Sequence, residues 1–335
     1  MFKTEETEEQ KRKRIFSKKS AEIVLKQEPG IPPTPSASPP PPSPTPTPTI
    51  TPSITPTMTI TPTVTGTITP TPTMTNTPSP TPYGPPLIFV VETNTINQQI
   101  NLGFMGEGTY SGIIDWGDGN ILPMTNAISG IKTYSSAGTY EIKVYGTIIG
   151  LEIGALSSNQ RARFKEVKQW GTLQAVSNSF NSMLGNCTNL VLTGVTDVLN
   201  LQGVTSTTFM FGSLNSDNNS ITTINRVGEW DMSSVVNMSG MFSRVNGFIS
   251  NITSWNVSAA TNMSNMFNGV DAFNQDISGW DVSNVTNMNS MFSNAVSFNQ
   301  DLSSWCVSLI PSIPTGFDSG VPGWVLPRPV WGTCP

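Results

Sequence analysis

Apolar residues recur at a fixed spacing of 25 residues in the carboxyl-terminal part of the chain. Trp230, Trp255, Trp280 and Trp305 keep this spacing, and the residues between them are mostly Asn, Ser, Thr and Gly. A strict period of this length predicts a solenoid, in which each repeat forms one coil and stacks like residues on like residues. The predicted core consists of those four tryptophans and of Met238, Met263, Met288, Met241, Met266, Met291, Phe242, Phe267 and Phe292.

Polar residues recur in columns as well. Asn237, Asn262 and Asn287 keep the same spacing, and we expect such a ladder to satisfy backbone groups at the bends between coil segments. The part of the repeat that reads F-N-Q-D has the most exposed character, so it is the candidate recognition face. Its residues are Gln275, Asp276, Gln300 and Asp301.

Short strand-like runs separated by Gly, Asn and Ser occupy residues 87–154. Within them, W-G-D-G at 116–119 is followed by Y-S-x-x-G-x-Y at 134–140. This combination resembles PKD-like β-sandwich domains, although Lys132 stands where that family often has His. Asp115 and Asp118 suit a tight turn, because Asp and Gly tolerate positive φ; a calcium-binding or catalytic role is the alternative.

Residues 29–86 alternate Pro with Thr, and no charged residue occurs between Glu28 and Glu92. Proline fixes φ and lacks an N–H donor, so the segment is predicted to be an extended, disordered stalk. Residues 1–28 mix both charges and form either a solvated tail or an anchor peptide that orders on a partner. The candidate anchor residues are Ile15, Phe16, Ile23, Val24 and Leu25.

Composition excludes several functions. The chain has no histidine, which removes His-based triads and His metal sites. Its three cysteines lack CxxC spacing, so no metal or other cofactor is expected. Residues 1–28 carry a net charge of +2 and the remainder −7, which argues against nucleic acid as a partner. The chain contains no run of 18 apolar residues, so no membrane span is predicted. The sequence shows no group of an acid, a base and a nucleophile, so we expect no enzymatic activity.

The repeat between Trp280 and Trp305 reads W-D-V-S-x-V-T-N-M-x-x-M-F followed by F-N-Q-D-L-x-x-W. It resembles the BspA-like relatives of leucine-rich repeats, the DUF285 or mycoplasma-surface-protein repeat, over roughly residues 170–308. The resemblance implies an LRR-type solenoid on surface-exposed proteins that bind other macromolecules or cells. The family is not known for catalysis.

The period breaks after Trp305, and residues 309–335 are predicted to cap the last coil. Cys306 and Cys334 are expected to form a disulfide that pins this tail, with two buried free thiols as the alternative. Cys187 then remains as a small buried hydrophobe.

These features predict a mainly β protein that presents a binding tip. The predicted organisation is an anchor at 1–28, a stalk at 29–86, a PKD-like β-sandwich at 87–154, an LRR-like solenoid at 155–308 and a cap at 309–335. Because no apolar export signal is visible, the leading hypothesis is a virion appendage, such as a phage head or tail fibre or a capsid decoration. In that hypothesis residues 1–28 dock on a capsid or tail protein, and the solenoid binds a host-surface glycan or protein. The alternatives are a microbial cell-surface adhesin and an intracellular scaffold, and a homo-oligomer is possible in each.

Overall fold

The computed structural model describes residues 83–213 and 221–335. The predicted anchor and all but the end of the stalk lie outside the described residues. The described part is mainly β. Its strands are β1 (Leu87–Thr93), β2 (Gln98–Asn101), β3 (Phe104–Asp115), β4 (Ile121–Met124), β5 (Ile131–Tyr134), β6 (Gly138–Leu151), β7 (Phe164–Gln169) and β8 (Leu173–Gln174). Helical turns are short: α1 (Ser158–Arg161) and 3₁₀ turns at Ala127–Gly130, Ile153–Ala155 and Val227–Glu229.

The strands form two sheets. In the larger sheet the order is β4-β3-β6-β1-β7, all antiparallel, with β8 parallel to β6; β2 and β5 form a separate antiparallel pair. Strand β1 alternates buried and half-buried residues, with Leu87, Phe89 and Val91 fully buried. This period of two places one face of the sheet on the core.

The W-G-D-G segment makes the turn between β3 and β4. Trp116 is fully buried, and the hydroxyl of Tyr134 donates to its carbonyl oxygen at 2.7 Å. The Asp115 carboxylate accepts the Gly117 N–H at 3.0 Å, and the Asp118 carboxylate accepts an N–H two residues on at 3.1 Å. Asp118 also pairs with Lys132 at 2.8 Å. Both carboxylates are therefore used in turn geometry.

Strand β7 joins the sheet to the repeats. It pairs antiparallel with β1, and on its other side Glu166 forms a parallel bridge with Val191. The Val167 N–H donates to the Val191 carbonyl at 3.1 Å. The first irregular coil thus covers the edge of β7, which would otherwise offer unpaired backbone groups to another chain.

Each regular coil is bonded to the next through the same backbone groups. The Met263 N–H donates to the Asn287 carbonyl and the Phe267 N–H to the Met291 carbonyl, both at 2.9 Å. One coil earlier the equivalent donors are Met238 and Phe242. Because each of these four bonds joins residues 24 residues apart, an inserted residue would break the set, which explains the fixed spacing.

The periodic apolar residues form the interior of the stack. Ring centroids lie 6.5 Å apart for Trp230 and Trp255 and 6.4 Å apart for Trp255 and Trp280, in near-parallel pairs. The indole N–H of Trp305 donates to the Ile277 carbonyl at 3.0 Å. All thirteen residues of the predicted core are at most 4% exposed.

Gly240 occupies a left-handed position that recurs in each coil. Its φ is +63°, and Asn265 and Ser290 have similar values one and two coils later. The ring of Phe209 lies against Gly240, so an added Cβ would overlap that ring. We expect Gly240→Ala to lower the free energy of unfolding by at least about 1–2 kcal/mol, measured by urea denaturation. Gly279→Ala is the control, because an added Cβ there meets no atom within 4 Å; equal effects of the two substitutions would contradict the prediction.

Residues 309–335 continue the stack as an irregular last coil. The Phe292 N–H donates to the Phe317 carbonyl at 2.8 Å, which repeats the bond between earlier coils. Cys306 and Cys334 form a disulfide. Cys187 is a buried free thiol in an early coil, and burial raises its pKa to about 12.

Candidate binding edge and ladder face

The glutamines of the predicted recognition face hold neighbouring coils together. The side chain of Gln275 accepts the Ile252 N–H at 2.9 Å and donates to the Ser250 carbonyl at 2.6 Å. The side-chain amide of Gln300 donates to the backbone and side-chain oxygens of Asn274 at 3.0 and 2.8 Å. Both side-chain atoms of Gln275 and the amide nitrogen of Gln300 are therefore engaged within the chain, and a role of these residues in recognition stays a prediction.

The two aspartates of that face are exposed and lie next to each other on adjacent coils. Asp276 accepts the Ser278 N–H at 3.0 Å, and Asp301 accepts the Ser303 N–H at 2.9 Å, each through Oδ1. The hydrogen bond from the serine two residues on lowers the pKa of each carboxyl. Both are ionised at neutral pH, and their second oxygens make this edge acidic.

Acid should weaken the coils through these turns. The same serine bond also lowers the pKa of Asp231 and Asp281. A carboxyl whose pKa is lower in the folded than in the unfolded chain stabilises the fold above the unfolded pKa, near 3.9. That contribution is lost as pH falls below about 4 through the folded values. We expect the thermal midpoint to drop in this range.

Substitutions within one column test this pH dependence. Asn251 occupies the column of Asp276 and accepts the Thr253 N–H at 3.0 Å in the same way. Asp276→Asn should therefore keep the turn and reduce the acid sensitivity of the thermal midpoint, and Asn251→Asp should increase it. Identical acid titrations for both variants and the unmodified chain would refute the assignment.

An open groove of about 420 Å³ lies at the beginning of the same edge. Its central feature is a two-point ion pair in which the Arg226 guanidinium donates to both carboxylate oxygens of Glu229, at 2.9 and 2.7 Å. The lining residues are Thr223, Ile224, Asn225, Arg226, Val227, Gly228, Glu229, Ser250, Asn251 and Ser254. Sequence reasoning missed this groove, because it forms where an irregular coil meets a regular one. The only available signal was the departure of T-T-I-N-R-V-G-E-W from the repeat.

A second surface follows the parallel bridges Ser206↔Asn237, Asn237↔Asn262 and Asn262↔Asn287. Each ladder asparagine accepts the N–H two residues on through Oδ1 at 3.0 Å. This is the backbone-satisfying role expected for the column. We call this surface the ladder face; it comprises residues 205–209, 236–239, 261–264 and 286–289.

Within residues 83–213 and 221–335, no helix has the length and apolar character needed to cross a bilayer. Nor do three or more acidic or cysteine side chains converge there in a way that could hold a metal ion.

Residues 213–320 match the family described as Mycoplasma protein of unknown function, DUF285. The match covers about a third of the chain and coincides with the regular coils. No curated protein and no solved structure matches the chain. Fold and comparison thus define a mainly β protein in which residues 213–320 are similar to DUF285.

Proposed function

We propose that the chain is a non-enzymatic microbial cell-surface protein that binds other macromolecules or cells through BspA-like repeats. The observation that carries the proposal is the DUF285 match over residues 213–320, which falls on the stacked coils. This match favours the cell-surface alternative over the virion appendage that the sequence suggested first.

Finer parts of the proposal rest on sequence patterns together with the geometry. We assign the stacked coils to an LRR-like solenoid, because each coil bonds to its neighbours through repeated backbone groups. We assign residues 87–154 to a PKD-like β-sandwich on the W-G-D-G turn and the Tyr134 bond to Trp116. Residues 1–28 would attach the protein to its support, and residues 29–86 would hold the binding part away from it.

Labelling of intact cells tests the location. An antibody raised against residues 221–335 should label the surface of intact cells that produce the full chain, and mild protease treatment of those cells should remove the label. A cytoplasmic enzyme measured in parallel serves as the control for lysis. Label that appears only after lysis would contradict the proposal. Label found only on virus particles released from the cells would support the virion hypothesis instead.

A further inference from the structure

The ladder face carries a row of amide donors without partners. The Oδ1 atoms of Asn237, Asn262 and Asn287 accept backbone N–H groups, but their Nδ2 groups donate no hydrogen bond within the described residues. Each asparagine is half-buried, so its position is fixed by the stack. Adjacent rungs of a parallel ladder lie about 4.8 Å apart. The face therefore presents one fixed amide donor per coil.

The ladder face is also uncharged. The segments 233–243, 258–268 and 283–293 contain no charged residue, whereas Asp276 and Asp301 lie on the other edge. The backbone groups of the ladder bond to neighbouring coils, so a peptide strand cannot add to this face. In the regular coils of the ladder face, the large apolar side chain that is exposed is that of Val236, at 37%. Protein interfaces usually need several aromatic or arginine anchors, and an acidic polymer needs cations; the regular coils of this face supply neither.

Phe209 adds an aromatic ring at one end of the face. Its φ is +50°, an uncommon conformation for a bulky residue, while Gly240, Asn265 and Ser290 occupy this position in later coils. The Phe209 N–H donates to the Ser239 carbonyl at 3.0 Å, and the Phe209 ring lies against Gly240, in the same coil as Asn237. Strained residues persist where the surroundings hold them and often mark binding sites. A half-buried ring beside polar donors suits the apolar C–H face of a sugar.

We propose that the ladder face binds an uncharged polysaccharide that lies along the stack of coils. Phe209 stacks against one sugar ring, and Asn237, Asn262 and Asn287 donate to hydroxyl oxygens of successive sugars. The proposal deepens the binding function proposed above and rests on it. It places recognition on the ladder face instead of the acidic edge that contains Asp276 and Asp301.

Binding of the full chain to immobilised dextran, mannan and laminarin tests the proposal, with alginate and heparin as acidic comparisons. We expect binding to at least one neutral polymer, little binding to the acidic ones, and weak dependence on salt. Asn262→Asp keeps the turn acceptor but removes the donor, and it should weaken binding about tenfold or more. Phe209→Ala should abolish measurable binding, and Phe209→Tyr should preserve it.

Asn256→Asp is the matched control. Asn256 accepts the Ser258 N–H at 3.1 Å in the same kind of turn, and Asp231 and Asp281 occupy its column, away from the ladder. This variant adds the same charge to the same coil and should leave binding unchanged. Absence of binding to all three neutral polymers, or equal binding by Asn262→Asp, Asn256→Asp and the unmodified chain, would overturn the inference. Attachment of the protein to whole cells without polysaccharide binding would overturn this inference alone and leave the proposed function standing.

Discussion

Phe267→Ala is expected to lower the free energy of unfolding by about 3–5 kcal/mol. The ring is fully buried, and its centroid lies 3.9 Å from that of Phe273, 6.0 Å from Phe242 and 5.7 Å from Phe292. Removal of the ring leaves a cavity between three coils, because the backbone bonds on either side prevent the stack from closing. Urea denaturation followed by tryptophan fluorescence would measure the loss.

Ile249→Ala is the control for this substitution. Ile249 lies on a neighbouring coil and is 61% exposed, so its truncation should change the free energy of unfolding by no more than about 0.5 kcal/mol. Comparable losses for Ile249→Ala and Phe267→Ala would mean that the aromatic column does not carry the stability of the stack.

The regular coils were predictable because their sequence is periodic. Because Trp, Met and Phe repeat every 25 residues, stacking of the coils is the arrangement that buries all of them. The same pattern predicts which residues of each coil lie in the interior and which lie on the surface. The asparagine ladder was predictable for the same reason, since a bend repeated in each coil needs the same acceptor each time. Periodicity does not reveal which polar atoms stay free; Gln275 looked available in the sequence but is bonded to the preceding coil.

The irregular ends could not be derived in this way. The predicted solenoid began at residue 155, and nothing in the sequence indicates that F-K-E-V-K-Q at 164–169 pairs with β1 on one side and with Val191 on the other. The last coil escaped recognition because proline occurs at 311, 314, 322, 327 and 329, whereas residues 221–305 contain none. Proline lacks the N–H with which a coil donates to the next one. The last coil accepts backbone bonds from the preceding coil through carbonyls such as those of Phe317 and Pro327. This role needs no N–H, so proline is tolerated there.

Reduction of the Cys306–Cys334 disulfide should lower the free energy of unfolding of the last coil by about 3.5 kcal/mol, since the bond closes a loop over a sequence separation of 28 residues. The disulfide holds the tail in place. In this tail the ring of Trp331 packs against that of Phe317, with centroids 4.9 Å apart, and the Thr333 carbonyl accepts the Val307 N–H. Urea denaturation with and without reductant would measure the loss. The double variant Cys306→Ser/Cys334→Ser should match the reduced chain under both conditions. Cys187 is buried and unpaired, so it should not respond.

The effect of reduction should begin at the end of the stack and spread inward. Each coil is stabilised mainly by its neighbours, so a loosened last coil weakens the coil before it more than distant ones. Hydrogen exchange should therefore rise first at the amides of residues 317–333, next in the coil that begins at Trp280, and last near Trp230. A uniform rise across all coils, or none at all, would contradict this order. Disulfides persist in oxidising surroundings, so a stack whose end depends on one is suited to the cell exterior, where the proposed function places it.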